Sequence, residues 1–334
     1  MNALERMLAT QRGEARDRLA CQPLLMTFAA RLNGVRYRDY VLDHRNLVES
    51  YFRVLDEFGV DAVSCCSDAW REAHDCGADL IFFDDAPPAC KNHLLADKSA
   101  FPGLRMPSPE TGPRMADRVG AVALFAERLG GQAPIVGWIE GPMAESADLR
   151  GINELMIDTI DDLPFVLDLF DWVTEMEIAF ARAQARAGAH IIGIGDAAAS
   201  LISPAFYEEH VLPREKRMID AVHEEGALAR LHVCGDANHL LPGFSRLGVD
   251  QIELDYPVDF ARARQVVGPA VVLMGNFDPV RVVRNARPGD VHRACQACHQ
   301  AAGDRYILSA GCEIPVDTPH ENVRAMVDYA RHAE

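Results

Sequence analysis

Residues 228–236 read Leu-Ala-Arg-Leu-His-Val-Cys-Gly-Asp, and this stretch shows the pattern from which the fold follows. Its first part, 228–233, is a short and largely apolar run, which predicts a buried strand. Segments with helical periodicity flank it at 204–225 and 237–247. A short buried strand between two helices is typical of a parallel sheet that is covered on both faces.

The same alternation of strand and helix runs through the whole chain. The predicted strands are 22–28, 60–67, 135–139, 190–195, 228–233, 250–254, 270–275 and 306–310. Further helices are predicted at 43–58, 117–129, 151–159, 162–187, 258–267, 288–302 and 319–332. Eight strand–helix units in 334 residues favour an α/β fold with a single TIM (β/α)8 barrel over an open, doubly wound sheet.

The chain has no internal repeat, low-complexity tract or linker that would divide it. We therefore predict one TIM-barrel domain over 1–334, with an exposed helical extension at about 1–20 and a flap near 76–116. Within the flap, 76–88 predicts a strand pair, and 100–116 is a loop rich in Pro, Gly and Met.

Charge and composition limit the partners and the compartment. The formal net charge of −17 argues against nucleic acid or an anionic membrane surface as a partner. Residues 1–30 carry Arg and Glu throughout, and no apolar run approaches the roughly 18 residues of a transmembrane helix. Nine cysteines without an export signal predict a cytoplasmic protein, in which cysteine is more often buried, metal-binding or catalytic than disulfide-bonded.

Candidate metal ligands stand at the ends of three predicted strands. Successive side chains of a strand alternate between faces, so His232 and Cys234 point the same way. Glu253 ends the next strand and Cys312 follows the last one, and the strand ends of a TIM barrel converge on its catalytic face. All four residues are of types that bind zinc, so they predict a zinc site. The alternative is that Glu253 is a carboxylate at the barrel end and Cys312 a buried thiol.

The spacing of these residues is similar to the zinc signature of thiol-methylating barrels, with a Glu about twenty residues after His-x-Cys and a Cys about sixty residues later. Such barrels include cobalamin-independent methionine synthase and the methylcobamide:coenzyme M methyltransferases. The latter belong to the uroporphyrinogen decarboxylase superfamily, and the resemblance covers nearly the whole chain. Strand ends and turns of that superfamily resemble the stretches 201–204 with 211–213, 231–235, 274–279 and 306–312.

Two positions resemble substrate-binding residues of the decarboxylases. Those enzymes carry Arg-Gln-Ala-Gly-Arg after strand one to hold substrate carboxylates, whereas this chain has Thr27-Phe-Ala-Ala-Arg31 and keeps only the final arginine. Asp68 resembles their aspartate that binds pyrrole nitrogens. Binding a polycarboxylate needs several paired cations. The reduced basic motif and the zinc ligands, which the decarboxylase pattern lacks, favour the methyltransferase branch.

Three further polar residues stand at strand ends. Glu140 ends strand three, Asp196 follows strand four, and Asn276 follows strand seven. We predict that Glu140 and Asp196, together with Glu253, are catalytic, and that Asn276 binds substrate beside Asp68 and Arg31. The alternative for the three strand-end residues is helix capping and hydrogen bonding within loops.

The resemblance implies a zinc-dependent methyltransferase that moves a methyl group between methylcobalamin, carried by a separate corrinoid protein, and a small thiol. The incoming thiol is then expected to displace Glu253 or a water, because a catalytic zinc keeps one exchangeable position. Tetrahydrofolate as the acceptor, a porphyrinogen-type decarboxylase and a non-catalytic corrinoid or metal carrier are the alternatives. The sequence leaves the oligomeric state open, a homodimer included.

Overall fold

Eight parallel strands form the centre of the fold in a computed structural model that describes residues 1–333. In chain order the strands are β1 (Ala20–Cys21), β2 (Val63–Ser64), β3 (Asp79–Ile81), β4 (Ala89–Asn92), β5 (Ile135–Glu140), β6 (Ile191–Gly195), β7 (Leu228–Val233), β8 (Gln251–Leu254), β9 (Val272–Phe277) and β10 (Tyr306–Ala310). The order in the main sheet is β1-β10-β9-β8-β7-β6-β5-β2, and the Asp61 N–H donates to the Cys21 carbonyl oxygen (2.8 Å) between its two ends. The predicted TIM-barrel fold is confirmed.

The central strands are buried on both faces. Every residue of β5, β6, β8, β9 and β10 is buried, as expected for apolar strands between a filled barrel interior and an outer layer of helices. The pairing of β7 with β8 sets His232 opposite Glu253, and the pairing of β6 with β7 sets Gly195 opposite His232. Because the strands are parallel, the residues that follow them meet on one rim.

Helices surround the barrel and fill the connections. They are α1 (Ala3–Arg12), α2 (Thr27–Leu32), α3 (Tyr37–Leu42), α4 (His44–Phe58), α5 (Arg71–Cys76), α6 (Pro113–Leu129), α7 (Pro142–Arg150), α8 (Ile152–Asp161), α9 (Leu163–Arg186), α10 (Pro204–Phe206), α11 (Leu212–Glu224), α12 (Leu241–Phe244), α13 (Phe260–Val267), α14 (Pro288–Ala302) and α15 (His320–His332). Short 3₁₀ turns lie at Lys98–Gly103 and Ala197–Leu201, and π-turns at Tyr207–Val211 and Pro279–Arg284. Among residues 1–333, no helix has both the length and the apolar character needed to cross a membrane.

Helix α4 shows how local sequence sets these elements. The Asp43 side chain accepts a hydrogen bond from the Arg45 N–H and begins the helix, and Gly59 ends it with a φ of 69°. The buried side includes Tyr51 and Val54, which the helical periodicity predicts to face inward. The predicted helix over 43–58 is confirmed.

The prediction of a first strand over 22–28 is wrong. The strand is the two-residue β1, and the chain then leaves the sheet at Pro23, which has no N–H to donate to a neighbouring strand. Residues from Thr27 onward form α2 instead. The apolar run reflects a buried connection and a buried helix, which apolarity alone does not distinguish from a strand.

The N-terminal helix is less exposed than the sequence suggests. Helix α1 spans Ala3–Arg12, and its Met7 is fully buried in the cluster that fills the barrel interior, together with Val272, Met274 and Ile307. Arg6 is also buried and donates to Asp61 (2.7 Å). Helix α1 therefore contributes to the core at the barrel end opposite the strand carboxyl ends.

Two helical predictions near the rim are wrong in extent. Helix α7 occupies a region for which we predict no helix, and the helix predicted over 237–247 is reduced to α12. The strand pair predicted over 76–88 is present but extends further along the chain, because β3 pairs in antiparallel fashion with β4, which lies after Pro88. The division of the chain into one domain, an extension and a flap stays a prediction.

Candidate metal centre

Three of the four predicted ligands converge at the carboxyl end of the barrel. His232 lies on β7, Cys234 directly follows β7, and Cys312 follows β10. The Nε2 atom of His232 is 3.1 Å from Sγ of Cys234, and the two Sγ atoms are 3.7 Å apart. One donor atom from each of the three lies within 4.8 Å of the others, so they could hold a metal ion. We call these three residues the His-Cys-Cys group.

Glycines position the two cysteines. Gly235 turns the chain directly after Cys234 with a φ of 82°, a conformation that favours glycine. Its N–H donates to the Asp255 carboxylate (2.8 Å), which holds this loop against the end of β8. A Cβ at Gly311, just before Cys312, would lie 2.6 Å from the Tyr256 backbone nitrogen, so only glycine fits there.

Glu253 does not belong to this group of donor atoms, which corrects the prediction of four converging ligands. Its Oε2 lies 3.4 Å from Nδ1 of His232, on the side of the ring opposite to the cysteines. Its Oε1 accepts a hydrogen bond from Ser309 Oγ (2.9 Å). The carboxylate thus contacts His232 but lies outside the group of donor atoms that could hold a metal ion.

The His232 ring lies in a protected setting. Its centroid is 5.9 Å from that of Trp138 on β5, and its side chain is 5% exposed. Below it in the barrel, Arg230 is buried and donates to Gln251 (2.9 Å) and Gln22 (2.8 Å). The ring is therefore confined by packing on one face and by Glu253 at one nitrogen.

The electrostatics favour a thiolate and a charged imidazole when no metal is bound. The hydrogen bond from the Cys234 thiol lowers the pKa of Cys312 to about 4; burial opposes this shift, and His232 adds to it. The pKa of His232 is raised despite burial, because both sulfurs and Glu253 stabilise the imidazolium. Burial acts to raise the pKa of Glu253, but His232 and Arg230 outweigh it and the pKa is lowered.

The donor set fits zinc. One imidazole nitrogen and two thiolates are ligands that zinc prefers, and three protein ligands leave a fourth position for a substrate, as in catalytic zinc sites. Zinc would displace the protons that the His232 imidazolium and the Cys234 thiol carry when no metal is bound. The predicted ligands His232, Cys234 and Cys312 are therefore brought together, and Glu253 adjoins one of them.

The two other predicted catalytic residues are held in structural contacts. Asp196 is fully buried and accepts hydrogen bonds from the backbone N–H groups of Ala144 (2.7 Å) and Met143 (3.4 Å), so it caps α7. Glu140 forms an ion pair with the buried Arg71 (2.8 Å). The capping alternative describes Asp196, and neither residue belongs to the His-Cys-Cys group.

Two of the three predicted substrate-binding residues are buried and engaged with other groups of the chain. Asp68 is paired with Arg114 (2.6 Å) and is buried. Asn276 donates to the carbonyl oxygen of Val258 (2.7 Å) and is also buried. Arg31 is exposed at the end of α2, and its substrate role stays a prediction.

Several residues around the group were not predicted from the sequence. Asp255 holds Gly235, Ser309 holds Glu253, and Glu313 accepts from Oγ1 (2.6 Å) and N (2.7 Å) of Thr27, which ties the Cys312 loop to α2. A signal existed for Asp255, since it lies two residues after Glu253 and faces the same side. The other contacts depend on tertiary packing.

Comparisons with known proteins agree with this fold. The family model described as uroporphyrinogen decarboxylase (URO-D) matches residues 2–333. A methylcobamide:CoM methyltransferase of Methanosarcina mazei is 31% identical over 277 residues, which are 82% of this chain and 80% of that protein. A uroporphyrinogen decarboxylase of Geobacter metallireducens is 28% identical over 284 residues, with 82% and 81% covered.

A solved structure, a methyltransferase from Methanosarcina mazei, superposes with a TM-score of 0.90 over 99% of this chain and 98% of that chain, at 22% identity. This likeness shows the fold alone. The curated relatives are enzymes that their names assign to two different reactions. The family match covers nearly the whole chain, and so the protein belongs to the uroporphyrinogen decarboxylase (URO-D) family.

Proposed function

We propose that this protein is a zinc-dependent methyltransferase that moves a methyl group between a methylated corrinoid on a separate protein and a small thiol. The observation that carries the proposal is the His-Cys-Cys group at the barrel mouth, with Cys234 and Cys312 only half-buried. A protonated thiol is a poor nucleophile, whereas a thiolate is a good one. Zinc held by these three residues would supply a position at which the substrate thiol binds as a thiolate.

The reaction balances without a redox partner. The thiol sulfur takes the methyl group as a cation equivalent, and the electron pair of the carbon–cobalt bond stays on cobalt, which is reduced by two electrons. The thiol proton leaves to solvent or to a base. This chain supplies the binding position for the thiol and excludes water from the buried side of the ring, where His232 and Glu253 are 4% and 2% exposed.

We infer that Glu253 acts on the tautomer and orientation of His232 through the charge of its carboxylate, because His232 Nδ1 has no hydrogen-bond partner among residues 1–333. A carboxylate beside Nδ1 favours a proton on that nitrogen and leaves the lone pair of Nε2 directed at the two cysteines. Ser309 holds the second carboxylate oxygen, so the pair is anchored to β10 as well. We propose this orienting role for Glu253 in place of the displaceable ligand expected from the sequence.

Exposed apolar side chains on the rim support a protein partner. Leu201, Tyr256 and Val280 are 60%, 49% and 41% exposed and lie on the loops after β6, β8 and β9. Exposed apolar residues around a functional site are typical of a docking surface. A corrinoid protein that covers this rim would bring the methyl group to the His-Cys-Cys group.

Soft sulfur ligands favour a thiol over tetrahydrofolate as the acceptor. A relative is named for methyl transfer to CoM, which suggests a thiol of that size. The decarboxylase reaction is less well supported, because Asp68 is occupied by Arg114 and Arg31 is the only arginine kept from the basic motif.

The test is a methyl-transfer assay with the zinc-loaded protein, a methylated corrinoid protein and 2-mercaptoethanesulfonate. We expect the methylated thiol by mass spectrometry and a loss of the methyl-cobalt absorbance, both stopped by Cys312→Ser. Cys90→Ser, which changes a half-buried cysteine on β4, is the matched control and should keep activity. Decarboxylation of uroporphyrinogen without thiol methylation in the partnered assay would overturn the proposal.

A further inference from the structure

Three buried carboxylates converge where α5, α7 and α9 pack together, and none of them belongs to the His-Cys-Cys group. Glu72 lies on α5, Glu145 on α7 and Glu177 on α9, and each side chain is 0% exposed. One carboxylate oxygen from each lies within 4.8 Å of the others. We call these three residues the carboxylate cluster.

These carboxylates lack the hydrogen-bond donors that buried acids normally have. Both oxygens of Glu145, both of Glu177 and Oε2 of Glu72 have no hydrogen-bond partner among residues 1–333. Buried polar atoms in native proteins are nearly always satisfied, so each such oxygen calls for an explanation. Glu145 is the clearest case, because it is fully buried, directed into the cluster and unpartnered at both oxygens.

The positive charge nearby is insufficient to balance the cluster. Arg71 contacts Glu72 (3.1 Å), but its guanidinium also contacts the carboxyl group of Glu140 (2.8 Å), so a single guanidinium serves both side chains. Burial raises the pKa of Glu145 and of Glu177, and the neighbouring carboxylates raise both further. Isolated buried carboxylates are strongly disfavoured unless a cation or protons neutralise them.

We propose that Glu72, Glu145 and Glu177 form a second metal site, which binds a hard divalent cation of the Mg²⁺ or Mn²⁺ class. Carboxylate oxygens are the ligands that such cations prefer, in contrast to the sulfur donors at the barrel mouth. A cation there would satisfy the unpartnered oxygens and join α5, α7 and α9. Arg71 lies on α5, so a cation that holds α5 in place would also hold the contact between Arg71 and Glu140 at the end of β5. The proposal does not depend on methyl transfer.

The test measures Mn²⁺ binding to the zinc-loaded protein, in which the His-Cys-Cys group is already filled. After chelation of weakly held metals and addition of Mn²⁺, we expect about one bound manganese per chain by electron paramagnetic resonance and elemental analysis, with a raised melting temperature. Glu145→Gln and Glu177→Gln should each weaken manganese binding about tenfold or more. Glu175→Gln, an exposed neighbour on α9, is the matched control and should bind as the unchanged protein does.

The competing explanation is that protons neutralise the carboxylates. In that case the unchanged protein takes up no manganese, and its melting temperature does not respond to Mn²⁺. Uptake that neither Glu145→Gln nor Glu177→Gln reduces would equally overturn the proposal. If one variant fails to fold, the binding stoichiometry of the unchanged protein and the other variant still decide the question.

Discussion

The His-Cys-Cys group and the carboxylate cluster each gather three donor side chains within the same 4.8 Å, yet they differ in chemistry and position. The first has soft sulfur donors on loops at the barrel mouth, and its cysteines are half-buried. The second has only oxygen donors, placed on three helices and fully buried. Soft donors select zinc and hard donors select magnesium or manganese.

This difference separates two roles for a bound metal. A site that meets solvent at a barrel mouth can exchange a ligand, which a reaction at the metal requires. A site closed off between helices cannot admit a substrate, but it can balance charge and hold the helices together. The methyl transfer that we propose would therefore take place at the first region, and a metal at the second would have a stabilising role.

The largest effect should come from removing one sulfur ligand. Cys312→Ser should abolish stoichiometric zinc and lower methyl transfer by on the order of a thousandfold or more, because the hydroxyl is a poor replacement for thiolate. Manganese binding at the carboxylate cluster should be unaffected. Elemental analysis of both metals in one sample measures this. A variant that loses manganese along with zinc would show that the two sites are not independent.

A smaller effect is expected from changing Glu253, which contacts the proposed zinc ligand His232. Glu253→Gln removes the charge beside Nδ1 of His232 but keeps the shape, and should lower zinc affinity or activity about ten- to hundredfold. Competition with a chelator gives the affinity, and the Cys90→Ser control should show no change. X-ray absorption of the zinc-loaded protein adds a second readout. This readout would contradict the orienting role if the zinc had an oxygen ligand that the substrate thiol replaces and that Glu253→Gln lacks. Glu253 would then be a displaceable ligand, as the sequence predicts.

The His-Cys-Cys group could be predicted from the sequence for two physical reasons. The two-residue period of a strand sets His232 and Cys234 on one face, and the parallel barrel brings the end of its last strand to the same rim. The side of the ring that Glu253 contacts could not be predicted, because it depends on the pairing register of β7 with β8 and on the side-chain conformation.

The carboxylate cluster has no local signature. Its members come from three helices whose packing alone brings residues 72, 145 and 177 together, and α7 itself was not predicted. The barrel was predictable because apolar strands recur along the chain, whereas β1 was misplaced because Pro23 and a buried helix lie in an apolar run. The periodicity of the sequence thus identifies the strands and helices that form the layers of the barrel. Which side chains meet between packed helices can be seen only in the structure.

The smallest expected effect is a pH dependence on the carboxylate side of the molecule. Burial raises the pKa of Glu140 to about 8, although Arg71 opposes the shift. Between its unfolded value of 4.5 and about 8, the folded chain therefore binds more protons than the unfolded chain, and the free energy of unfolding falls as pH rises through this window. For zinc-loaded, manganese-free protein we expect the melting temperature to fall by about 3 °C or more between pH 5.5 and 8. Glu140→Gln should reduce this slope, and Glu175→Gln should keep it.

Zinc loading matters in this experiment because zinc displaces the protons of the His-Cys-Cys group, so that the titration of this group does not add to that of the buried carboxylates. Some slope should persist in Glu140→Gln, since burial also raises the pKa of Glu215, to about 7. Saturating Mn²⁺ should flatten the remaining slope if the carboxylate cluster holds a cation, because the metal excludes the protons that Glu145 and Glu177 would otherwise bind. Thermal unfolding followed by circular dichroism at several pH values measures each of these slopes. A melting temperature that rises across this window, or a slope that Glu140→Gln leaves unchanged, would contradict the assignment of the effect to Glu140.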